Sequence, residues 1–479
     1  MRGTGQILVV SCYELGRQPV AAANALAQLW HAGFAPAALD VAVEKLDEQA
    51  LRGAQLVAIS VPMHTALRIG VQVAARVRSV SPHAHVAFFG HYASLNASHL
   101  LARHGDSCLG GESDGPLLEL ARSLEAALEA GRVDPDTGRP RLPAIPGVAT
   151  AGHPEGPWLP RAAEVRTTAL LPIRTGLPSL GSYAKLARDG HEILVASVEA
   201  TRGCKHLCKH CPIVPVYNGR FFAVPEEAVL ADLAQQVAAG ARHVTFGDPD
   251  FLNGPRHSLS IVRRMHASFP DVTFDATIKI EHLLQHRDLL PELRACGGLF
   301  VTSAVESLSD RILAALDKGH TAADVPLALR LVRDAGLDLR PTLLPYTPWT
   351  TLPDLRALFA FAAGSDLVDQ IDPVQYTLRL LLPSGSPLVD GPPLEGDDRA
   401  WLGPFDPHGF GWTWTHPDPR LDELQRASAQ LASRDATAGV PPEQTFEKLW
   451  RLVDQDLPQR PQSDKPRKQV PRLTEPWFC

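Results

Sequence analysis

Cysteine is scarce in this chain, seven among 479 residues, and unevenly spaced. That excludes a disulfide framework, and a reducing compartment would keep the residues as thiols. No apolar run approaches the roughly 18–20 residues that cross a bilayer. The opening stretch, MRGTGQILVVSCYELG, lacks the long apolar segment and small-residue cleavage site of a signal peptide, so a cytoplasmic location is expected. There is no excess of basic charge either: the net charge of −7 argues against a nucleic-acid-binding surface. Neither nucleic acid nor membrane is therefore an expected partner. What remains is ordinary for a globular protein, 45% hydrophobic and 21% charged, in a chain long enough for two or three domains.

The 42 prolines concentrate in two stretches that mark boundaries. Over residues 1–130, short β-like runs such as QILVVSC, AQLVAISVP and HVAFFG alternate with helical stretches, which predicts a doubly wound, Rossmann-like parallel sheet. Ligands of such sheets sit at the carboxyl ends of the strands. The loops Ser11–Gly16, Pro62–Thr65, Gly90–Ala93 and Leu109–Asp114 are then the ligand-facing candidates, with His64 and His91 among their residues. Residues 131–190 are rich in proline and glycine and read as a linker. From 191 to 390, six strand-like runs follow one another: Glu192–Val198, Arg242–Phe246, Val272–Ile278, Leu299–Val305, Leu337–Leu344 and Pro373–Leu381. Six βα units fall short of the eight of a closed TIM barrel, so a partial (β/α)6 barrel is expected, with its chemistry at the C-terminal strand ends. Residues 391–479 form a smaller, less regular region whose second proline-rich stretch, DLPQRPQSDKPRKQVPRL, predicts an extended, mobile arm.

Three of the seven cysteines, Cys204, Cys208 and Cys211, fall within eight residues as C-x3-C-x2-C, directly after the first barrel strand. A structural zinc site needs a fourth ligand, and His206 or His210 could supply one only through a cramped chelate. A disulfide would strand the third thiol. A four-iron cubane held by three cysteines leaves one iron open to substrate or cofactor, and the spacing and position favour this reading over zinc.

With that motif after the first strand of a partial barrel, residues 190–390 resemble the radical S-adenosylmethionine superfamily. The resemblance implies a [4Fe-4S] cluster on Cys204, Cys208 and Cys211. Its open iron would chelate S-adenosylmethionine, which is cleaved reductively to methionine and a 5′-deoxyadenosyl radical. FGDPDF stands at the second-strand motif, placing Gly247 and Asp248 near the methionine amino group, although the usual Gly-Gly-Glu is absent. SAVESLSDRILAALDKG resembles the fourth-strand segment, with Glu306 and Ser307 near the ribose or methionine carboxylate. Lys279 and Glu281 after the third strand and Arg340 on the fifth complete the cofactor-binding set. The lysines and histidines around the cysteines would offset the cluster's negative charge or stand as solvated loop positions.

A doubly wound sheet ahead of such a barrel resembles the cobalamin-binding subgroup. CLGGESDGPLLELARSL, LPSLGSYAKL and LLLPSGSPL are similar to its segments. Gly16 is kept in SCYELG, but that loop has no histidine for cobalt. The resemblance therefore implies cobalamin bound without a protein imidazole; the competing expectation is a vestigial sheet that only docks onto the barrel. The ending, EPWFC, resembles the CUAEP/CCAEP-tail radical S-adenosylmethionine proteins, in which selenocysteine or cysteine and then Ala-Glu-Pro follow. That makes Cys479 a candidate catalytic thiol.

Two reactions on a small-molecule substrate are expected from these features, with flavodoxin or ferredoxin as the electron donor. One is cobalamin-dependent methyl transfer. The other is noncanonical transfer of the aminocarboxypropyl or adenosyl portion to a thiol, selenol or metalloid. A non-enzymatic cobalamin or metalloid sensor is the alternative of another class, and the chain shows no partner-binding element for it. The tail resemblance carries one expectation at the level of the gene. The codon after that of Cys479 should be UGA, followed in frame by Ala-Glu-Pro; sequencing past this point and finding UAA or UAG would dismiss it.

Overall fold

The computed structural model describes residues 1–135, 138–154, 170–454 and 471–475. In the first sheet, β1 (Ile7–Ser11), β2 (Ala37–Asp40), β3 (Leu56–Ser60), β4 (His85–Phe89) and β5 (Ser107–Leu109) run parallel in the order β2-β1-β3-β4-β5. Strand β6 (Val148–Thr150) closes the β5 edge antiparallel, drawn from the segment expected to be a linker. Strands β1, β3 and β4 are buried along their whole length, as a continuous apolar run dictates when helices cover both faces. The helices Val20–His31 and Asp114–Glu129 pack on one face and His64–Val80 on the other. This doubly wound order reverses direction between β1 and β3, the crevice where such sheets take ligands.

The second unit begins with an antiparallel hairpin, β7 (Lys185–Arg188) and β8 (His191–Val198). A short ribbon of β9 (Thr201–Gly203) and β10 (Phe221–Ala223) then brackets the cysteine loop. Strands β11 (His243–Phe246), β12 (Thr273–Thr277), β13 (Gly298–Glu306) and β14 (Asp338–Leu343) extend β8 as a parallel half-barrel. The apolar core lies between this sheet and its outer helices, among them Leu352–Gly364, started by a capping box of Thr351 and Asp354.

The sixth expected strand is much reduced. Residues Pro373–Thr377 wind into a 3-10 turn in which the Thr377 hydroxyl donates to the Val374 carbonyl. Only one parallel bridge, Tyr346 with Arg379, then marks the sixth position. Beyond it, β15 (Leu402–Asp406) and β16 (Gly411–Trp414) form an antiparallel pair.

The expected mobile arm is likewise ordered where it is described. Strand β17 (Arg472–Leu473) pairs antiparallel with β7, and Thr474 exchanges hydrogen bonds with Lys185. Edge strand β7 offers unpaired backbone groups, and the end of the chain satisfies them.

Arg174, from the proline-rich connection, ties the two units together. Its guanidinium donates to both Asp232 oxygens, to the Ser197 carbonyl at 2.7 Å and to the Gln18 carbonyl of the first unit at 3.3 Å. Both members of the Arg174–Asp232 pair are buried. Arg174→Ala should cost about 3–5 kcal/mol, because it leaves a buried carboxylate unpaired; urea unfolding followed by circular dichroism measures the loss.

Candidate active site

A cleft enclosing about 380 Å³ lies where the strand ends of the two units face each other. Its first wall comes from the loops after β1, β3, β4 and β5, which hold Glu14, Arg17, Met63, His91 and Glu112. Its second comes from Glu199, Thr201, Arg202, Gly247, Asp248 and Arg340 at the barrel mouth, and Leu473 of the C-terminal strand contributes as well.

Arg202 joins the walls. Its guanidinium lies 2.7 Å from Glu112 on the loop after β5, 3.2 Å from Asp114 at the start of the helix Asp114–Glu129, and 3.1 Å from Glu199 on its own side. Tyr217 donates to the other Glu112 oxygen at 2.7 Å and packs edge-on against His91. Burial would raise the Glu112 carboxyl, but Arg202 holds it below its ordinary value.

Several buried polar atoms around this cleft have no partner: Glu14 Oε1, Arg17 Nε and His91 Nδ1 on the first wall and Arg340 Nη1 on the second. Buried polar groups are seldom left so, and four around one cleft fit a polar ligand there. Burial, then the nearby Glu199, pushes the Glu14 carboxyl up to about 8.

The cysteine loop hangs from β9 and is closed where Cys204 N–H donates to the Arg220 carbonyl. Gly203, at φ +77°, is required at its root, because a Cβ there would stand 2.5 Å from the Tyr217 ring and 2.6 Å from the Arg220 carbonyl. Asp248 fixes the same root. Its carboxylate accepts from Ala200 N, Thr201 N and the Thr201 hydroxyl at 3.0, 2.6 and 2.6 Å. Burial pushes the Cys211 thiol up to about 12 and raises Cys204, so both would be neutral until a metal displaced their protons.

Glu306 ends β13 with φ +62°, in the left-handed region, and turns its carboxylate onto Lys318 at 3.1 Å and His210 of the cysteine loop at 3.3 Å. Burial alone would raise this carboxyl; Lys318 and His210 hold it down at about 2. Lys318 is in turn held charged against the cost of burial chiefly by Glu306, which sets a cation beside the thiols of Cys208 and Cys211.

Of the residues singled out from sequence, Gly247, Asp248 and Arg340 line the cleft. Arg340 pairs with Asp372 at 3.1 Å and lies over the Phe300 ring. Lys279 and Glu281 pair with each other at 3.2 Å beside the cysteine loop rather than on the cleft wall. The Ser307 hydroxyl accepts from Ser309 N. Gly16, at φ +67°, faces the Glu475 carboxylate, which also takes the Tyr13 hydroxyl. His64 lies against the Gly409 carbonyl at 2.6 Å. Cys479 lies outside the described residues. Glu14, Arg17, Arg202 and Lys318 were not signalled by any spacing, since their partners are brought together only by the fold.

Residues 198–359 match the Radical SAM superfamily. That stretch is a radical SAM domain, of a superfamily that uses a [4Fe-4S] cluster and S-adenosylmethionine. The tRNA-2-methylthio-N(6)-dimethylallyladenosine synthase of Thiobacillus denitrificans is 26% identical over 193 residues, 37% of this chain and 42% of that protein. The enzyme of the same description from Vibrio parahaemolyticus is 27% identical over 34% of this chain and 36% of its own. The chain thus aligns with about two-fifths of the length of these curated relatives. Two solved structures share the fold more broadly. The radical S-adenosylmethionine methyltransferase TsrM from Kitasatospora setae, with cobalamin and [4Fe-4S] cluster bound, superposes with a TM-score of 0.55 at 19% identity, covering 75% of this chain and 70% of that one. The cobalamin-dependent S-adenosylmethionine radical enzyme OxsB, with aqua-cobalamin and S-adenosylmethionine bound, gives 0.65 at 13% identity, covering 93% and 70%.

The raised Glu14 carboxyl sets a pH dependence of stability. Unfolded, this group ionises near 4.5; folded, it resists ionisation up to about 8. Its contribution is therefore fully present below about pH 4.5 and is lost as pH rises through about 8. Glu14→Gln keeps the acceptor for Val20 N and should raise the thermal midpoint of the ligand-free protein at pH 9 while leaving it unchanged at pH 4.

Proposed function

We propose that this radical SAM enzyme holds its cluster on Cys204, Cys208 and Cys211, takes cobalamin in the cleft between its two units, and methylates a small molecule. The observation that carries the reading is the meeting of two sites on one cleft. The ligand-binding crevice of the first sheet, between the β1 and β3 loops, opens onto the barrel mouth from which the cysteine loop hangs. When bound, the cluster and S-adenosylmethionine supply a radical and cobalamin supplies a methyl carrier.

The chain's own residues bind and orient these groups. Gly247, Asp248, Glu306 and Ser307 lie at or after barrel strand ends, Arg340 lies within β14, and these stand with Lys279 and Glu281 as the S-adenosylmethionine set. Lys318 balances the charge of the cluster. Arg17, Glu14 and His91 offer unpartnered polar atoms to cobalamin, and Gly16 gives the β1 loop its close approach to the C-terminal segment. No histidine follows β1, so cobalt would lack an imidazole from that loop. A small-molecule substrate and a flavodoxin or ferredoxin electron donor complete the proposal, in a cytoplasmic setting.

A second reading, transfer of the aminocarboxypropyl or adenosyl portion to a soft nucleophile, draws on the C-terminal segment. Leu473 lines the cleft, and Cys479 follows Glu475 by four residues, a reach of at most about 14 Å.

Anaerobic reconstitution tests both. Protein given iron, sulfide and hydroxocobalamin should carry about four irons and four sulfides and keep the corrinoid through gel filtration. With S-adenosylmethionine and reductant, S-adenosylhomocysteine together with 5′-deoxyadenosine marks methyl transfer, methylthioadenosine marks aminocarboxypropyl transfer, and methionine released with an adenosylated acceptor marks adenosyl transfer. Cys204→Ala/Cys208→Ala/Cys211→Ala should abolish all nucleoside products. Retained cleavage in that variant would refute the cluster assignment, and failure to keep the corrinoid would leave the first sheet a docking element only.

A further inference from the structure

His206, in the middle of the cysteine motif, does not turn toward the thiols' partners on β13. It meets Asp250, from the turn after β11, and His282, from the helix Ile280–Gln285 after β12. We propose that His206, Asp250 and His282 bind a divalent first-row metal ion, Fe(II) or Zn(II), separate from the iron–sulfur cluster.

Three observations carry the site. First, one ligand atom from each residue lies within 4.8 Å of the others. The two imidazole Nε2 atoms face each other at 3.2 Å, and His206 Nε2 is 3.5 Å from Asp250 Oδ2. Two ligands bonded at about 2.0–2.1 Å to one ion at near-tetrahedral angles stand roughly 3.3 Å apart, so these separations are those of ligands sharing an ion. Second, Asp250 and His282 are 0% and 1% exposed, and Asp250 Oδ2 makes no aligned hydrogen bond, while His282 offers the ion its Nε2 and keeps Nδ1 on the Asp250 side, 2.7 Å from Oδ2. Such a carboxylate oxygen deep in a protein calls for a partner. Third, the remaining atoms are already placed by the chain. Asp250 Oδ1 accepts from Leu252 N, which leaves Oδ2 for the ion, and Glu281 Oε2, 3.5 Å from His206 Nδ1, turns the other nitrogen of that ring inward.

Two histidines and a carboxylate are the donor set of non-haem iron and of zinc sites with open positions. Each ligand comes from a different element, so the ion would pin the stretch between Cys204 and Cys208 to β11 and β12. The site requires neither cobalamin nor any particular transfer reaction.

The test uses the full chain in two forms. Wild-type protein carrying its cluster, dialysed against zinc(II) and washed, should hold one metal ion per chain beyond one iron per acid-labile sulfide; a count that stops at parity overturns the proposal. The chain with all three motif cysteines changed to alanine, treated with chelator and titrated with cobalt(II), should bind one equivalent with d–d bands of nitrogen and oxygen ligands and no sulfur charge transfer. His282→Gln and Asp250→Asn should each lose that equivalent with the circular dichroism unchanged. Should a buried variant unfold, His206→Gln, at a partly exposed position, makes the same comparison. Unchanged cobalt uptake in His206→Gln, or none with the three residues intact, would overturn the site and leave a hydrogen-bonded Asp–His–His chain instead.

Discussion

The molecule depends on one guanidinium placed among three carboxylates. Arg202 sits two residues before the first cysteine of the motif and reaches Glu112 and Asp114 across the cleft while holding Glu199 on its own wall. Without it, three partly buried acids would face one another across the cleft with no counter-charge, which would push the walls apart. The same residue therefore fixes both the width of the cleft and the starting point of the cysteine loop. Asp248 and Gly203 then set the loop's direction, the first through three hydrogen bonds and the second by leaving room for Tyr217.

The parallel strands were legible in the sequence because strands covered on both faces must be apolar along their length, as in ILVVS, LVAIS and HVAFF. The cysteine motif was legible because its chemistry is local, three thiols within one loop. The sixth barrel strand was overcalled: its apolar residues are buried, but a proline-led 3-10 turn satisfies that burial without a ladder. Arg202 was illegible for the opposite reason. Its acidic partners Glu112 and Asp114 stand about 90 positions earlier, and no pattern of spacing signals such a pairing. The docking of Leu473 and Glu475 was hidden in the same way, since the proline-rich composition before them speaks only for an extended chain.

Polar groups are distributed unevenly between the two faces of the cysteine loop. Toward β13, Lys318 and His210 surround Glu306 and supply positive charge close to Cys208 and Cys211. On the other side, Asp250 lies near Cys204 and raises its thiol further after burial has done so. A cation beside Asp250 would even out this difference, so that all three thiols meet comparable fields when a cluster is held between them. Electrostatic balance of this kind matters most for a centre that changes charge, because each electron gained must be stabilised by dipoles and charges already in place.

The pairing of β17 with β7 has a consequence outside the cleft. A half-barrel ends in a strand whose outer amides and carbonyls could template a neighbouring molecule, and β7 would be such a strand. Here the chain covers part of that rim with its own last described residues. The segment that lends Leu473 to the cleft wall thus also covers a strand edge, so both tasks rest on the same few backbone hydrogen bonds.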